Sequence, residues 1–506
     1  MITREVRGLR VTAAGARIDS IVQAYETYGE ECVKHLIGDF AFAIWDNRSQ
    51  KLFCARDHFG VKPFFYACVS GDFIFSSSLN ELREHPGVSD ELNETAIGDY
   101  LLFGVNQDLS STTFRDIQRL PPAHCLTFAN GSIAIRRYWT PSITQEIRFR
   151  DDRSYVERFA ELLTDAVKDR IGSDRVSVLM SGGLDSTSVA AIACDLRGAD
   201  SVKACTVAYE KLIPDQEGFY STIAGNHLGI QGTQINADVY GLFEGDLDQP
   251  EPFLISPLGG QFRDSLRACA DGGRVALTGW DGDAFMNERP LRLRTRISRL
   301  LRKKHVHCSY PEWIDGSFAK RTDLRERWEA SFRPQEPVDQ KRSAAMRALN
   351  SKMWAPLLEG YDPSVTKLDL EVRHPFIDLR VVEFLLAIPP LPWCVNKHIL
   401  REAMKDRLPA AVVNRPKTGL AGDPALQLVR RASVRWLDSF EVSPQLERFV
   451  NPDRRRLLAD EQSSDALWAS LRVYALNHWL TNSQPIARRT PENLINKQLS
   501  YKTSIA

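Results

Sequence analysis

Arg175-Val176-Ser177-Val178-Leu179-Met180 runs directly into Ser181-Gly182-Gly183-Leu184-Asp185-Ser186, and this junction constrains the fold more than any other stretch. The β-branched and apolar run predicts a buried strand, and Ser186 to Ala193 predicts a helix. Between them, two glycines allow a sharp turn and a close backbone approach to a ligand. A helix that starts straight after such a turn aims free N–H groups and the positive end of its dipole at an anion. Serine hydroxyls add donors, and Asp185 suits a magnesium ion beside bound phosphates. The loop is not a Walker A sequence, because no Gly-Lys-Ser/Thr follows, and it is not a Gly-x-Gly-x-x-Gly dinucleotide turn.

A chain of 506 residues, 43% hydrophobic, is an ordinary globular protein of about two to four domains. Sixty-five Lys and Arg balance sixty-five Asp and Glu, so no global charge draws it to nucleic acid or an anionic membrane. Met1 to Arg7 lacks the apolar core of a signal peptide, and no apolar run approaches the ~20 residues of a membrane helix. Cytoplasmic residence follows by default. Nine scattered cysteines without a Cys-x-x-Cys pair argue against a disulfide framework and a zinc site. His305-Val306-His307-Cys308 is the one compact ligand-like cluster, and metal binding there is disfavoured.

The chain divides near residue 140. Before it, Phe40 to Trp45, Lys51 to Arg56 and Phe64 to Cys68 predict strands, and Leu126 to Phe128 and Ser132 to Ile135 flank the hairpin signal Asn130-Gly131. Tyr138 to Pro141 reads as a linker. From Ser154, Tyr155, Phe159, Leu162, Leu163, Ala166 and Val167 recur at helical spacing, with Ser154 and Glu157 placed as a capping box. Strand–helix alternation then predicts strands at Ala204 to Tyr209 and Arg274 to Leu277 and a helix at Phe219 to Leu228. That pattern implies a parallel sheet with helices on both faces. Beyond residue 320 the chain reads as mostly helical.

Four further segments carry chemistry. Leu277-Thr278-Gly279-Trp280-Asp281-Gly282-Asp283 puts an acidic, glycine-lined loop at a strand's carboxyl end, where open parallel sheets bind ligands. Asp185 and Asp283 are therefore candidate ligands of one magnesium ion. Leu370 to Asp378 (Leu-Glu-Val-Arg-His-Pro-Phe-Ile-Asp), Asn396 to Ala403 (Asn-Lys-His-Ile-Leu-Arg-Glu-Ala) and Asn414 to Gly419 (Asn-Arg-Pro-Lys-Thr-Gly) read singly as a charged helix face, a helix start and a basic turn.

Together with the Ser-Gly-Gly-Leu-Asp-Ser loop, this ordered set resembles the asparagine synthetase family. Gly38 to Asp46 and Ala55 to Pro63 look like inner strands of that family's glutaminase domain, and the resemblance spans roughly residues 20 to 425. It implies an α/β fold with a PP-loop parallel sheet of the adenine-nucleotide α-hydrolase type in residues 150–506. Residues 1–140 are expected to form a truncated, β-rich, Ntn-glutaminase-like domain. The family's glutaminase uses an N-terminal cysteine whose α-amine is the base. Here the first cysteine is Cys32, and the strands expected ahead of Asp19 are missing from the sequence pattern. Glutamine hydrolysis is not expected, so the amine must come from elsewhere. Relatives without that cysteine include β-lactam synthetases and lasso-peptide cyclases. Leu212 to Glu217, Arg373 to Arg380, Pro389 to Cys394 and Arg415 to Pro424 look most like the cyclases.

The resemblance implies ATP and Mg2+, and adenylation of an Asp or Glu side chain in a short precursor peptide. A leader-binding protein and a leader peptidase are the implied partners, with no nucleic acid or membrane. Ser181, Gly182, Gly183 and Ser186 are expected to cradle the phosphates. Leu179, Val207 and Gly279 would contact the nucleotide, Asp185 and Asp283 the magnesium, and Lys417 would neutralise growing phosphate charge. The peptide's own N-terminal amine then closes a macrolactam, with Glu371 as candidate base. Trp280 stands where amide-forming relatives carry Glu or Tyr, and Ala284 replaces an acid that commonly follows the loop aspartate. Three other readings stay open: an ammonia- or amine-dependent synthetase acting on a small carboxylate, a non-catalytic peptide scaffold, and an RNA-modifying enzyme, which the neutral charge disfavours. The run Arg292 to Lys304, with leucines and Ile297 interleaved, reads as a half-buried amphipathic helix before it reads as a docking surface.

Overall fold

The computed structural model describes residues 1–288, 310–332, 342–454 and 463–482, apart from residues 7, 16, 144, 173–174, 418, 432–436 and 438–439. The basic run at 292–304 and the cluster at 305–308 lie outside the described residues.

The N-terminal half is two antiparallel sheets. β1 (Ile2–Val6), β2 (Leu9–Ala14), β3 (Ala41–Asp46), β4 (Lys51–Arg56), β8 (His124–Ala129) and β9 (Ser132–Arg137) form one in that spatial order, and β6 (Asp72–Ser76), β5 (Phe65–Val69) and β7 (Gln118–Arg119) form the other. Asn130 and Gly131 both adopt positive φ, 51° and 72°, as a two-residue turn between β8 and β9 requires. The sheets face each other across Ala41, Ala43, Cys54, Phe64, Phe73, Leu126 and Phe128. One expectation is corrected here: strands do precede Asp19. β1 pairs with β2, and β2 lies along the whole of β3. β1 is an edge strand whose residues 2–5 are exposed and whose central Thr3-Arg4-Glu5 is polar, so it lacks the apolar alternation that marks a half-buried strand.

The second half is built on five parallel strands. β10 (Val176–Leu179), β11 (Val202–Ala208), β12 (Gln231–Asn236), β13 (Val275–Thr278) and β14 (Glu371–Arg373) lie in the order β12-β11-β10-β13-β14. Neighbouring residues along a strand enter opposite cores. Ala204 and Leu277 pack under helices Asp152–Ile171 and Leu184–Arg197, while Cys205 and Ala276 pack under helix Gly259–Ala270. Strand order reverses at β10, so the connections leaving β10 and β13 diverge and open a crevice at their carboxyl ends.

Local differences from the sequence pattern have identifiable causes. The helix at Asp152–Ile171 is capped by Asp151, whose carboxylate accepts from the Ser154 amide and hydroxyl at 2.9 Å each, so Ser154 is not the cap. Aspartate and serine are both good caps, and only geometry separates them. The segment from Leu370 is no helix face: Glu371–Arg373 pairs with Val275, Ala276 and Leu277 as β14. Three residues are too few to display a period. A third core joins the halves, in which helix Glu94–Phe103 packs with helix Ser464–Asn482.

Candidate active site

The crevice predicted by the topology is lined by the two loops singled out in the sequence. Leu179 ends β10 level with Thr278 at the end of β13. The turn after β10 is held by its own hydroxyls: the Ser181 amide donates to Ser186 Oγ at 3.1 Å, and the Gly183 amide to Ser181 Oγ at 3.4 Å. Gly182 sits at φ 67°, where a Cβ would stand 2.5 Å from the Ser221 nitrogen and 2.7 Å from the Glu217 carbonyl oxygen. Gly279 lies so close to the start of helix Leu184–Arg197 that a Cβ there would be 2.4 Å from the Ser186 nitrogen. Both glycines are required by close approach. Ser181 and Val207 line a cavity of about 710 Å³, together with Tyr209, Glu217 and Arg415.

Four charged side chains meet beside the loop. Lys397 Nζ lies 2.5 Å from Asp185 Oδ2 and 2.8 Å from Asp283 Oδ1, and Lys417 Nζ lies 2.6 Å from Asp283 Oδ2. Burial pushes the Asp185 carboxyl up to about 6, against the pull of Lys397. Burial works the same way on Asp283, but Lys397 and Lys417 outweigh it and hold that carboxyl below its ordinary value. Asp281, at φ 57° in the same loop, is pushed up to about 6 by burial and by Asp283 and Asp185. Burial disfavours the charged form of Lys397, yet its two carboxylate partners win and raise it.

The structure therefore brings together Ser181, Gly182, Gly183, Asp185, Ser186, Gly279, Asp283 and Lys417. It does not bring Glu371 to them. Glu371 pairs with Val275 at the far end of β13 from Gly279, about 13 Å away along the strand. Its carboxylate faces Arg373 and, 3.7 Å away, Lys62 of the N-terminal half. Burial would raise it, but Lys62 and Arg373 keep it below the ordinary carboxylate range. A base must come within hydrogen-bonding reach of the proton it takes. The role expected of Glu371 does not fit this placement, because the residue belongs to a strand whose register was invisible in sequence.

Lys397 and Asp281 were given no role by sequence reasoning. Lys397 belongs to the Asn396-Lys397-His398 segment, where Asn396 and Lys397 both take positive φ (48° and 56°). The Lys397 amide donates to the Met286 carbonyl at 2.8 Å, which pins it under the Asp283 loop. The same is true of Arg415: its guanidinium donates to Glu217 at 2.8 Å and lies over the Tyr220 ring at 4.4 Å.

A magnesium ion fits this donor set. Asp185 Oδ1 is buried without a hydrogen-bond partner, and two carboxylates with phosphate oxygens are the usual surroundings of that ion. Asp185 and Asp283 are the residues that would hold it.

A β10–turn–helix phosphate loop at the switch point of a parallel sheet, with two carboxylates and two lysines, defines a nucleotide-dependent enzyme of the PP-loop class. Residues 158–481 match the asparagine synthase family and residues 12–139 the glutamine amidotransferase domain family. The chain belongs to the asparagine synthase family, whose members are ATP-dependent, AMP-forming carbon–nitrogen ligases. Three Bacillus subtilis (strain 168) proteins are similar to it. Asparagine synthetase [glutamine-hydrolyzing] 3 is 27% identical over 79% of this chain and 69% of its own length. Asparagine synthetase [glutamine-hydrolyzing] 2 is 26% identical over 78% and 57%, and asparagine synthetase [glutamine-hydrolyzing] 1 is 23% identical over 90% and 79%. The chain thus spans less than two thirds of the second of these relatives. Among the described residues no helix is long and apolar enough to cross a membrane.

Proposed function

We propose that this protein closes a macrolactam in a short peptide, adenylating an Asp or Glu side chain with ATP and joining it to the peptide's own N-terminal amine. The observation that carries the adenylation is the Asp185–Lys397–Asp283–Lys417 cluster beside the Ser181–Ser186 turn. ATP would lie with its phosphates on that turn and its nucleoside towards Val207. Magnesium held by Asp185 and Asp283 would neutralise the pyrophosphate. A peptide carboxylate oxygen attacks the α-phosphorus, and the bond to the β-phosphate oxygen breaks. Lys417 and Lys397 supply fixed positive charge where negative charge moves onto the leaving group. The neutral amine then attacks the acyl carbon, gives its extra proton to solvent, and AMP departs as the bond between the acyl carbon and the phosphate oxygen breaks. With a pKa of about 7.7–8.0, roughly a tenth of such an amine is already neutral at pH 7. Holding amine and acyl-adenylate in contact is the larger task, and a cleft that orders the peptide performs it.

Cys32 is buried, and burial pushes its thiol up to about 12, so Cys32 itself is not an amidotransferase nucleophile. Trp280, where amide-forming relatives carry Glu or Tyr, packs edge-on against Trp354 at 5.3 Å and offers no proton acceptor, so that position supplies no base to the attacking amine. A leader-binding protein and a leader peptidase are the partners this reading requires.

The test is mass spectrometry of leader-free peptides that begin with Gly and carry one Asp or Glu, incubated with the protein, ATP and magnesium. Loss of one water with equimolar AMP and pyrophosphate is expected. A folded protein that leaves every such peptide unchanged, yet makes AMP from free aspartate and an amine, replaces the cyclase with a small-carboxylate synthetase.

A further inference from the structure

A second cavity of about 310 Å³, sharing no lining residue with the nucleotide cavity, has Trp280 in its wall. The loop that carries Trp280 touches the phosphate site at both ends. Gly279 lies against Ser186, and a Cβ on Gly282 would come within 2.8 Å of the Asp185 carboxyl carbon. A group seated against Trp280 is therefore next to the reacting phosphate. Facing Trp280 are Phe253, Phe262, Leu266, Leu357 and Leu368. The charged residues of the lining already have partners. Arg263 donates to Asp264 at 2.9 Å and to the Glu244 carbonyl at 2.8 Å, and Asp246 faces Lys367 at 3.6 Å. Gln249 Oε1, buried without a hydrogen-bond partner, could accept from an ammonium, but the carboxylate of a free amino acid would lose water here without gaining an uncommitted cation. An apolar side chain gains by the same transfer, and the volume lies at the small end of ligand sites, room for one large side chain.

We infer that the acyl donor carries an aromatic or branched aliphatic side chain next to the residue whose carboxylate is activated, and that this side chain seats against Trp280. The inference rests on the adenylating reading and adds its substrate class: an apolar-flanked peptide carboxylate rather than a free acidic amino acid. Leu357, 44% exposed, stands at the mouth and can be changed without disturbing the core.

The experiment is ATP–pyrophosphate exchange with magnesium, driven by Gly-first peptides identical except that Phe or Ser adjoins the single Asp, and by free aspartate. The Phe peptide should exceed the Ser peptide in kcat/KM by roughly 10- to 100-fold, the scale of discrimination by an apolar pocket. Free aspartate should give no exchange above background. In L357E the Phe advantage should fall at least tenfold while the KM for ATP stays within twofold. Equal rates for the Phe and Ser peptides, or preference for free aspartate, overturn the inference and leave adenylation standing. No exchange with any donor, from folded protein shown to bind ATP, overturns adenylation and this inference with it.

Discussion

Lys397 and Lys417 share Asp283 but differ in setting, and that predicts different losses. Lys417 is mostly exposed, with only its ammonium committed to Asp283, so Lys417→Ala should fold normally. Pyrophosphate exchange should fall by about 10²- to 10³-fold, the usual effect of removing one preorganised charge-stabilising donor. Lys397 is buried between two carboxylates, so Lys397→Ala should lose exchange as well as thermal stability, because it leaves like charges facing each other. Comparing exchange rate with melting temperature for the two variants separates these roles. A different residue, His58, contributes to acid behaviour. His58 is buried, and burial lowers its imidazole from 6.5 to about 4. The folded protein thus binds fewer protons than the unfolded chain between those values, and His58 costs stability as pH falls through that window. Between pH 7 and pH 5 the His58 contribution should weaken by about 2 kcal/mol. Urea unfolding of wild type and His58→Gln at both pH values should show the variant gaining by that amount relative to wild type; an unchanged gap would mean that the imidazole is not held neutral.

At the scale of the elements, the two glycines show which constraints a sequence displays. Gly279→Ala should leave the fold's circular dichroism intact while pushing the Thr278–Asp283 loop off the start of helix Leu184–Arg197, where the added Cβ would meet the Ser186 nitrogen at 2.4 Å. AMP formation should drop below a hundredth of wild type, readable by chromatography of the nucleotide products. The strand–turn–helix around Ser181 was legible because a buried strand, a Gly-Gly turn and a helix start agree locally. So were β3, β4, β10, β11 and β13, whose apolar runs end at turn residues. β12 and β14 were not. Gln231–Asn236 is a polar edge strand, and Glu371–Arg373 gains its partner only through β13, a hundred residues earlier. The same blindness misplaced Glu371: its motif was readable, but the register that puts it at the wrong end of β13 is a tertiary fact. Lys397 was legible as part of a motif, whereas its bridge between Asp185 and Asp283 depends on two loops meeting in space.

At the scale of the whole molecule, the glutaminase-like half is held to the ligase half by buried charge. Arg56 and Arg119 of the N-terminal half both reach Glu359, at 2.8 and 2.9 Å, and Arg119 also reaches Glu251 at 2.5 Å. All four side chains are at most 3% exposed. Arg56 also donates to the Gly60, Lys62 and Leu120 carbonyls, so each of its three guanidinium nitrogens is engaged. A second tie runs from Asp39 through Arg170 to Asp378, at 2.8 and 2.6 Å. Such pairs add little net stability compared with apolar packing, but removing one partner strands the others in a medium that cannot solvate them. Glu359→Ala removes the carboxylate between two arginines and should cost about 3–5 kcal/mol. The loss should act first on the polar part of the junction, since it leaves intact the apolar core the halves share and the cores within the N-terminal sheets. Limited proteolysis should therefore cut the connecting segment 141–150 faster in Glu359→Ala than in wild type, ahead of any loss of the secondary structure seen by circular dichroism. That segment is held to the ligase half by contacts such as the Ile147 amide on the Ala387 carbonyl at 2.8 Å and the Phe149 amide on the Tyr155 hydroxyl at 2.9 Å. If cleavage there stays as slow as in wild type while the whole chain melts earlier, the charges brace one continuous core and the halves do not part separately.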